Sequence, residues 1–581
     1  MRVVLAILFI SIGSLAAHAG PVDDLHALFA EEWQWRMATD PLAASMRGIH
    51  DHDDRLPDVS AEAQAARLKA LAAFRARLDA IPRTALDEAD RLNADLFAFD
   101  LDGRIAEARF RTWRIPFLSD SGFHTEPVFV IEAMRFRNAA DYEIYLRRLA
   151  ALPRYLDQNI ANMRLGMREG FTMPRAILPG VAPTFAALAV DEPEQSPFFG
   201  PFRNMPASVP EVARSRILTE GRRILKESVL PAYRRLYRFF TGDYMPAARS
   251  SIGAGDLPDG AAFYHMRIRR FTTLDLDAES IHILGRHEVA RIRAEMEAVI
   301  GKTGFAGSFA EFLAFLRRDP RFYARTPEEL LRRAAWIAKT IDGRLPAFFG
   351  KLPRMPYGVR AVPPEIAPNY TTGRYWPAIP GVRGGLYMVN TYALDKRPLY
   401  ALPALTLHEA VPGHHLQVAL ADEIEGVPEF RKALYVVAFG EGWGLYSERL
   451  GAEMGIYGTP YEEFGRLSYE MWRAARLVVD TGIHAMGWTR DEAIAFLKNN
   501  TALSAHNVAT EIDRYISWPG QALGYKIGEI RIRELRAKAE KVLGSRFDIR
   551  AFHDAVLENG SLPLPVLERR IDAYIARAGA P

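Results

Sequence analysis

Residues 408–417 read HEAVPGHHLQ, and more of this protein turns on these ten positions than on any other stretch. They set a His-Glu pair and a His-His pair on what reads as one interrupted helix. In the metal-binding helical pattern H-E-x-x-H, two histidines at i and i+4 reach one ion from the same face, and the Glu reaches a water beside it. Here the spacing is stretched, because the second histidine is His414 at i+6 or His415 at i+7. On a regular helix i+6 points about 120° away from i, and i+7 lies roughly 10 Å further along the axis. Neither converges with His408 unless the helix is broken. Pro412 and Gly413 supply the break: Pro has no N–H to give the carbonyl of residue 408, and Gly tolerates unusual backbone angles. A break that absorbs two residues returns His414 to the place of the second ligand; one that absorbs three returns His415.

A catalytic zinc site commonly adds a carboxylate as third ligand and keeps one position open for water. Residues 439–449 read FGEGWGLYSER, inside the apolar helical run KALYVVAFGEGWGLYSERL. An unpaired carboxylate there is costly, and the glycines around Glu441 leave room for another element to come close. Glu441 is therefore the expected third ligand. Glu448 follows at i+7 on the same face and reads as a solvated or salt-bridged surface residue.

Composition narrows the classes. The chain has 581 residues, 49% hydrophobic and 25% charged, as expected of a globular protein with a large core. Its net charge of +3 is spread through helices of mixed sign, which gives nucleic-acid or acidic-membrane binding no support. The absence of cysteine removes disulfides, thiolate ligands and cysteine nucleophiles, leaving His and carboxylates for any metal. Met1-Arg2, the apolar run VVLAILFISIGSLA (3–16) and Ala17-His18-Ala19 form a secretory signal peptide cut after Ala19. About 14 apolar residues are short for a bilayer span. No cysteine follows for lipid attachment, and no later segment reaches span length. The mature protein is expected to be soluble and without a membrane anchor, secreted or, in a Gram-negative source, periplasmic.

Apolar residues recur at helical spacing over segments such as 22–47, 85–108, 139–166, 275–301, 428–456, 460–486 and 519–541. The best strand signal is GLYMVNT at 385–391, just before the metal helix. The expected fold is mainly α, large and two-lobed with a deep cleft and a small β edge near that helix. A weak break near residue 250 (PAARSSIGAGDLPDG) divides it into an N-terminal helical part, 20–250, and a catalytic part, 251–581.

Four segments, in the same order, carry a resemblance: HEAVPGHHLQ, GEGWGLYSE (440–448), RLVVDTGIHAMGWT (476–489) and RYISWPGQALGYKIGEIRIRELR (514–536). With these the chain resembles the bacterial domain of unknown function 885 family, grouped with helical zinc peptidases. More distantly it is similar to the thimet-oligopeptidase and angiotensin-converting-enzyme groups. The resemblance implies a zincin-like fold and one zinc per chain. The triplet His415-Leu416-Gln417 is similar to the H-x-Q of the converting-enzyme group and favours His415, whereas economy of insertion favours His414. Both stay candidates. By the same resemblance an edge strand borders the cleft and binds peptide backbone, so that Tyr387 and Asn390 face the groove or support the metal helix. Peptide hydrolysis develops an oxyanion that a Tyr, His or Arg can hold. The candidates are His484, Arg514, Tyr515 and Tyr525, with position after the zinc helices favouring Tyr525. Asp480, four residues before His484, is placed to orient its imidazole.

The expectation is an exported zinc metallopeptidase acting on short peptides in an enclosed groove. In it His408, Glu441 and His414 or His415 hold the metal, and Glu409 is the general base. A zinc hydrolase of non-peptide amides or esters uses the same residues. A metal-free binding or scaffold protein is the rival from another class.

Overall fold

Long amphipathic runs must each bury one face, and in this chain they bury it against one another. The computed structural model describes residues 20–579 except Glu365 and Pro380, with backbone alone at Asn369. The expected signal peptide lies outside the described residues. The helices that matter for the site are α1 (Pro21–Thr39), α2 (Ala61–Asp79), α3 (Glu88–Arg109), α4 (Ala278–Thr303), α5 (Leu402–Glu409), α6 (His414–Asp422), α7 (Val437–Glu453), α8 (Pro460–Ala485), α9 (Ala505–Ser517) and α10 (Leu523–Leu543). Among the described residues the one sheet has three strands: β1 (Tyr357–Ala361), β2 (Gly373–Trp376) and β3 (Gly385–Val389). The fold is mainly α, as the periodicity expects. No helix among the described residues is long and apolar enough to cross a membrane.

Helix α8 runs through the middle. It opens with a capping box between Thr459 and Glu462, with Pro460 in the first turn, and every residue from Phe464 to His484 is buried. Such burial is tolerable only if the charges on α8 are paired. Glu470 is bonded by Lys526 of α10 at 2.9 Å, and that fully buried ammonium also reaches Glu529 at 2.8 Å and Glu288 of α4 at 3.0 Å. The network ties α4, α8 and α10 together. Two apolar cores surround it. One joins Leu149 and Tyr233 to Phe464 and Ile512; the other joins Leu28 and Phe97 to Trp443 and Leu523. Residues on both sides of position 250 therefore contribute to each core.

The strand expected at 385–391 forms over Gly385–Val389, but it is the middle strand. It pairs in parallel with β1 on one side and antiparallel with β2 on the other. Both of its edges are used, which corrects the expectation that it offers an edge to a peptide. Tyr387 and Asn390 do not face a groove either. Both are fully buried: the Tyr387 hydroxyl shares a hydrogen bond with Thr406 of α5 at 3.3 Å, and the Asn390 amide donates to the Ala367, Tyr370 and Thr371 carbonyls at 2.9–3.0 Å. Tyr387 braces α5, and Asn390 shapes the loop before β2.

Asp480 does not orient His484, despite its i−4 position. Its carboxylate accepts the Tyr264 hydroxyl at 2.6 Å and the Gly520 N–H at 3.1 Å. Burial is the main influence on it and pushes the carboxyl up to about 7. An unfolded aspartate titrates near about 3.9, so the folded chain holds this proton more tightly. The resulting stability is complete below the unfolded value and is lost as pH rises through about 7. Thermal melts are therefore expected to show a midpoint falling between about pH 4 and about pH 7, with Asp480→Asn lessening that fall. Equal slopes for both proteins would contradict the assignment.

Candidate metal centre

Helix α5 stops at Glu409 because Ala410 leaves the helical region (φ −98°, ψ −112°) and Pro412 cannot donate to the next turn. The Val411–Pro412 peptide is cis. The Gly413 N–H reaches back to the Leu407 carbonyl and the His415 N–H to the Ala410 carbonyl, both at 3.0 Å, and α6 then begins at His414. A Cβ at residue 413 would overlap the carbonyl oxygens of Leu407 and His408, so only glycine fits. The indole of Trp443 on α7 donates to the Pro412 carbonyl at 2.7 Å and pins the turn.

This break swings His414 over His408, with ring centroids 4.7 Å apart and planes at 88°. Nε2 of each histidine stands 3.3 Å from Oε2 of Glu441. The three residues offer ligand atoms that all lie within 4.8 Å of one another. Room for the His408 ring comes from Gly444, where a Cβ would stand 2.7–2.9 Å from the imidazole. His415 points elsewhere. Its Nε2 donates to the Met355 carbonyl at 3.0 Å, its Nδ1 accepts from the Tyr375 hydroxyl at 3.2 Å, and burial pulls the imidazole down to about 4.

Glu448 is not a surface residue. It is 1% exposed, and its Oε1 lies 2.8 Å from Nδ1 of His408 and 3.3 Å from the Arg473 guanidinium. Contact of Nδ1 with this carboxylate fixes the ring so that Nε2 faces Glu441, the arrangement by which an outer carboxylate sets orientation and basicity in a ligating histidine. Burial alone would lower the His408 imidazole, but its hydrogen bonds to Glu441 and Glu448 outweigh burial and hold it at about 10. Burial alone would raise Glu441, yet the charge of His414 and hydrogen bonds from both histidines keep it well below the usual carboxylate range. Two imidazoles and one carboxylate, converging and braced from behind, fit a zinc ion with one side left open. Of the three side chains, Glu441 and His414 keep 14% and 10% of their exposure, against 2% for His408.

Glu409 follows His408 on α5. Its Oε2 accepts the backbone N–H of Tyr375 in β2 at 2.7 Å, so β2 is the strand that borders the site. The Tyr525 ring lies nearly parallel to His408, at 6.5 Å and 18°, and its hydroxyl accepts from Arg514 at 3.2 Å. Tyr525 and Arg514 thus stand beside the triad. His484 and Tyr515 do not act there. His484 accepts the Ala254 N–H through Nδ1 and donates to the Tyr515 carbonyl through Nε2, both at 3.0 Å, and burial lowers it to about 3. The Tyr515 hydroxyl accepts from Trp472 and Arg476 at 2.8 Å each. These bonds lock α8 to α9. Sequence reasoning missed Glu448 as the partner of His408, together with Arg473 and β2. The i+7 relation of Glu448 to Glu441 was the available signal, but its burial was not readable.

A cavity of about 590 Å³ lies between the N-terminal helices and the joint of α9 and α10, bounded by Trp33, Arg47, Arg67, Phe117, Ser517 and Pro519; none of the triad lines it.

Fold and site together define a mainly helical protein with a buried His-His-Glu constellation. The chain belongs to the family described as bacterial protein of unknown function (DUF885), which matches it over residues 41–571. It is similar to a protein from Colwellia psychrerythraea described as a "putative lipoprotein", with 28% identity, a TM-score of 0.91, and coverage of 96% of this chain and 100% of that one. A "putative lipoprotein of unknown function" from Shewanella oneidensis shares the fold at 17% identity, with a TM-score of 0.71 and coverage of 95% and 99%. Among curated proteins there is no match.

Two predictions separate ligands from their supports. In zinc titrations followed by elemental analysis, His414→Ala is expected to lose the metal, while His415→Ala keeps it and is only less stable. Retention by His414→Ala would reassign the ligand. Glu448→Gln should weaken zinc affinity by roughly 10- to 100-fold without abolishing it, and unchanged affinity would remove Glu448 from the site.

Proposed function

We propose that this protein is an exported zinc metallopeptidase of short peptides, with His408, His414 and Glu441 as the zinc ligands. The observation that carries the reading is the convergence of those three donors beside Glu409, which follows the first ligand directly on α5. Export is supported by the signal-like segment at 1–19 and by fold relatives described as lipoproteins.

Zinc, when bound, supplies a Lewis acid that acidifies water and polarises a carbonyl. The chain's own residues do the rest. Glu409 has one carboxylate oxygen held by the Tyr375 N–H, which leaves the other to take a proton from the attacking water and deliver it to the leaving amine. Tyr525 accepts from Arg514, so its own hydroxyl proton is available to the oxyanion that develops on the peptide carbonyl. Glu448 and Arg473 keep His408 in one orientation.

Glu409→Gln preserves size and the bond from Tyr375 but cannot take up a proton. Zinc content should be unchanged while turnover of a short-peptide library falls by about 100-fold or more. Near-normal turnover would exclude Glu409 as the base, and lost zinc would make it a ligand.

A further inference from the structure

Residues alternate sides along a strand, and β2 uses both sides. Tyr375 is buried and turns its hydroxyl to His415, while Arg374, one residue earlier, is exposed on the opposite side. The Tyr375 N–H is bonded to Glu409, so Arg374 is the residue next to the backbone group that holds the proposed catalytic base. Its guanidinium lies 5.2 Å from the centre of the Tyr370 ring and forms no ion pair or hydrogen bond among the described residues. The groups that act on it electrostatically are Tyr370, Arg514, Asp120 and Tyr525. Arg514 shares its one carboxylate with Arg476: Glu511 lies 3.5 Å from Arg514 and 3.0 Å from Arg476, and Arg514 otherwise bonds Gln521 at 2.9 Å and Tyr525 at 3.2 Å.

Guanidinium groups brought together with so few carboxylates repel one another until an anion joins them. An arginine fork suits a carboxylate, which it can bind through two parallel hydrogen bonds. We propose that Arg374, with Arg514 beside it, binds the free α-carboxylate of a peptide substrate, so that cleavage falls near the C-terminal end. This rests on the peptidase reading of the metal centre, which assigns the scissile carbonyl to the space beside Glu409.

Binding tests it apart from turnover. Zinc-loaded protein carrying Glu409→Gln is titrated calorimetrically with the tripeptide Ala-Ala-Ala and with its C-terminal amide, with and without Arg374→Gln. Amidation should weaken binding by about tenfold or more when Arg374 is present and by far less when it is Gln. Arg374→Lys should restore part of the preference, since it keeps the charge and loses the fork. Equal affinity for acid and amide, no binding of either, or the same amide penalty without Arg374 would overturn the assignment. Turnover of unmodified tripeptide by the native protein reports separately on the peptidase reading.

Discussion

One imidazole between two carboxylates is the contact around which the site is built. Glu441 and Glu448 are seven residues apart on α7, nearly two helical turns, and so leave the same face. Gly444 lies between them and opens the gap that the His408 ring enters, one nitrogen toward each carboxylate. Buried carboxylates of this kind are tolerable only when compensated, and the compensation has to come from α5. That need fixes how α5 crosses α7. It also draws in Arg473 of α8 as the second partner of Glu448.

From that crossing the remaining geometry follows. The turn at 410–413 is held to α7 through Trp443, so the helix carrying His414 starts where α7 directs it. The short sheet packs beside α5 and lends Glu409 a backbone donor from β2. Behind these pieces the buried Lys526 network holds α4, α8 and α10 in one relation. Rigid elements of this kind keep side chains within the small tolerances that metal binding and proton transfer require.

The site also separates charge. Carboxylates gather at the His-His-Glu constellation, where two imidazoles answer them, while arginines gather around Tyr525 and β2. Tyr525 stands between the two regions, with its ring against His408 and its hydroxyl on Arg514.

The sequence by itself determined the helical class, the broken helix at Pro412-Gly413, and the pairing of His408 with Glu441, because each follows from local chemistry. Periodicity betrays a buried face, a Pro-Gly pair interrupts a ladder, and a carboxylate in an apolar helix demands a partner. Only the tertiary structure decided between His414 and His415. How many residues a turn absorbs depends on where neighbouring elements catch it, here Trp443 on one side and the carbonyls of α5 on the other. The same holds for Glu448, Arg374 and the middle position of β3. Whether a charged residue on a helix meets water or another helix, and which edge of a strand stays free, is set by packing between segments far apart in the chain. Spacing along the chain can place two residues on one face, but it does not say what that face meets.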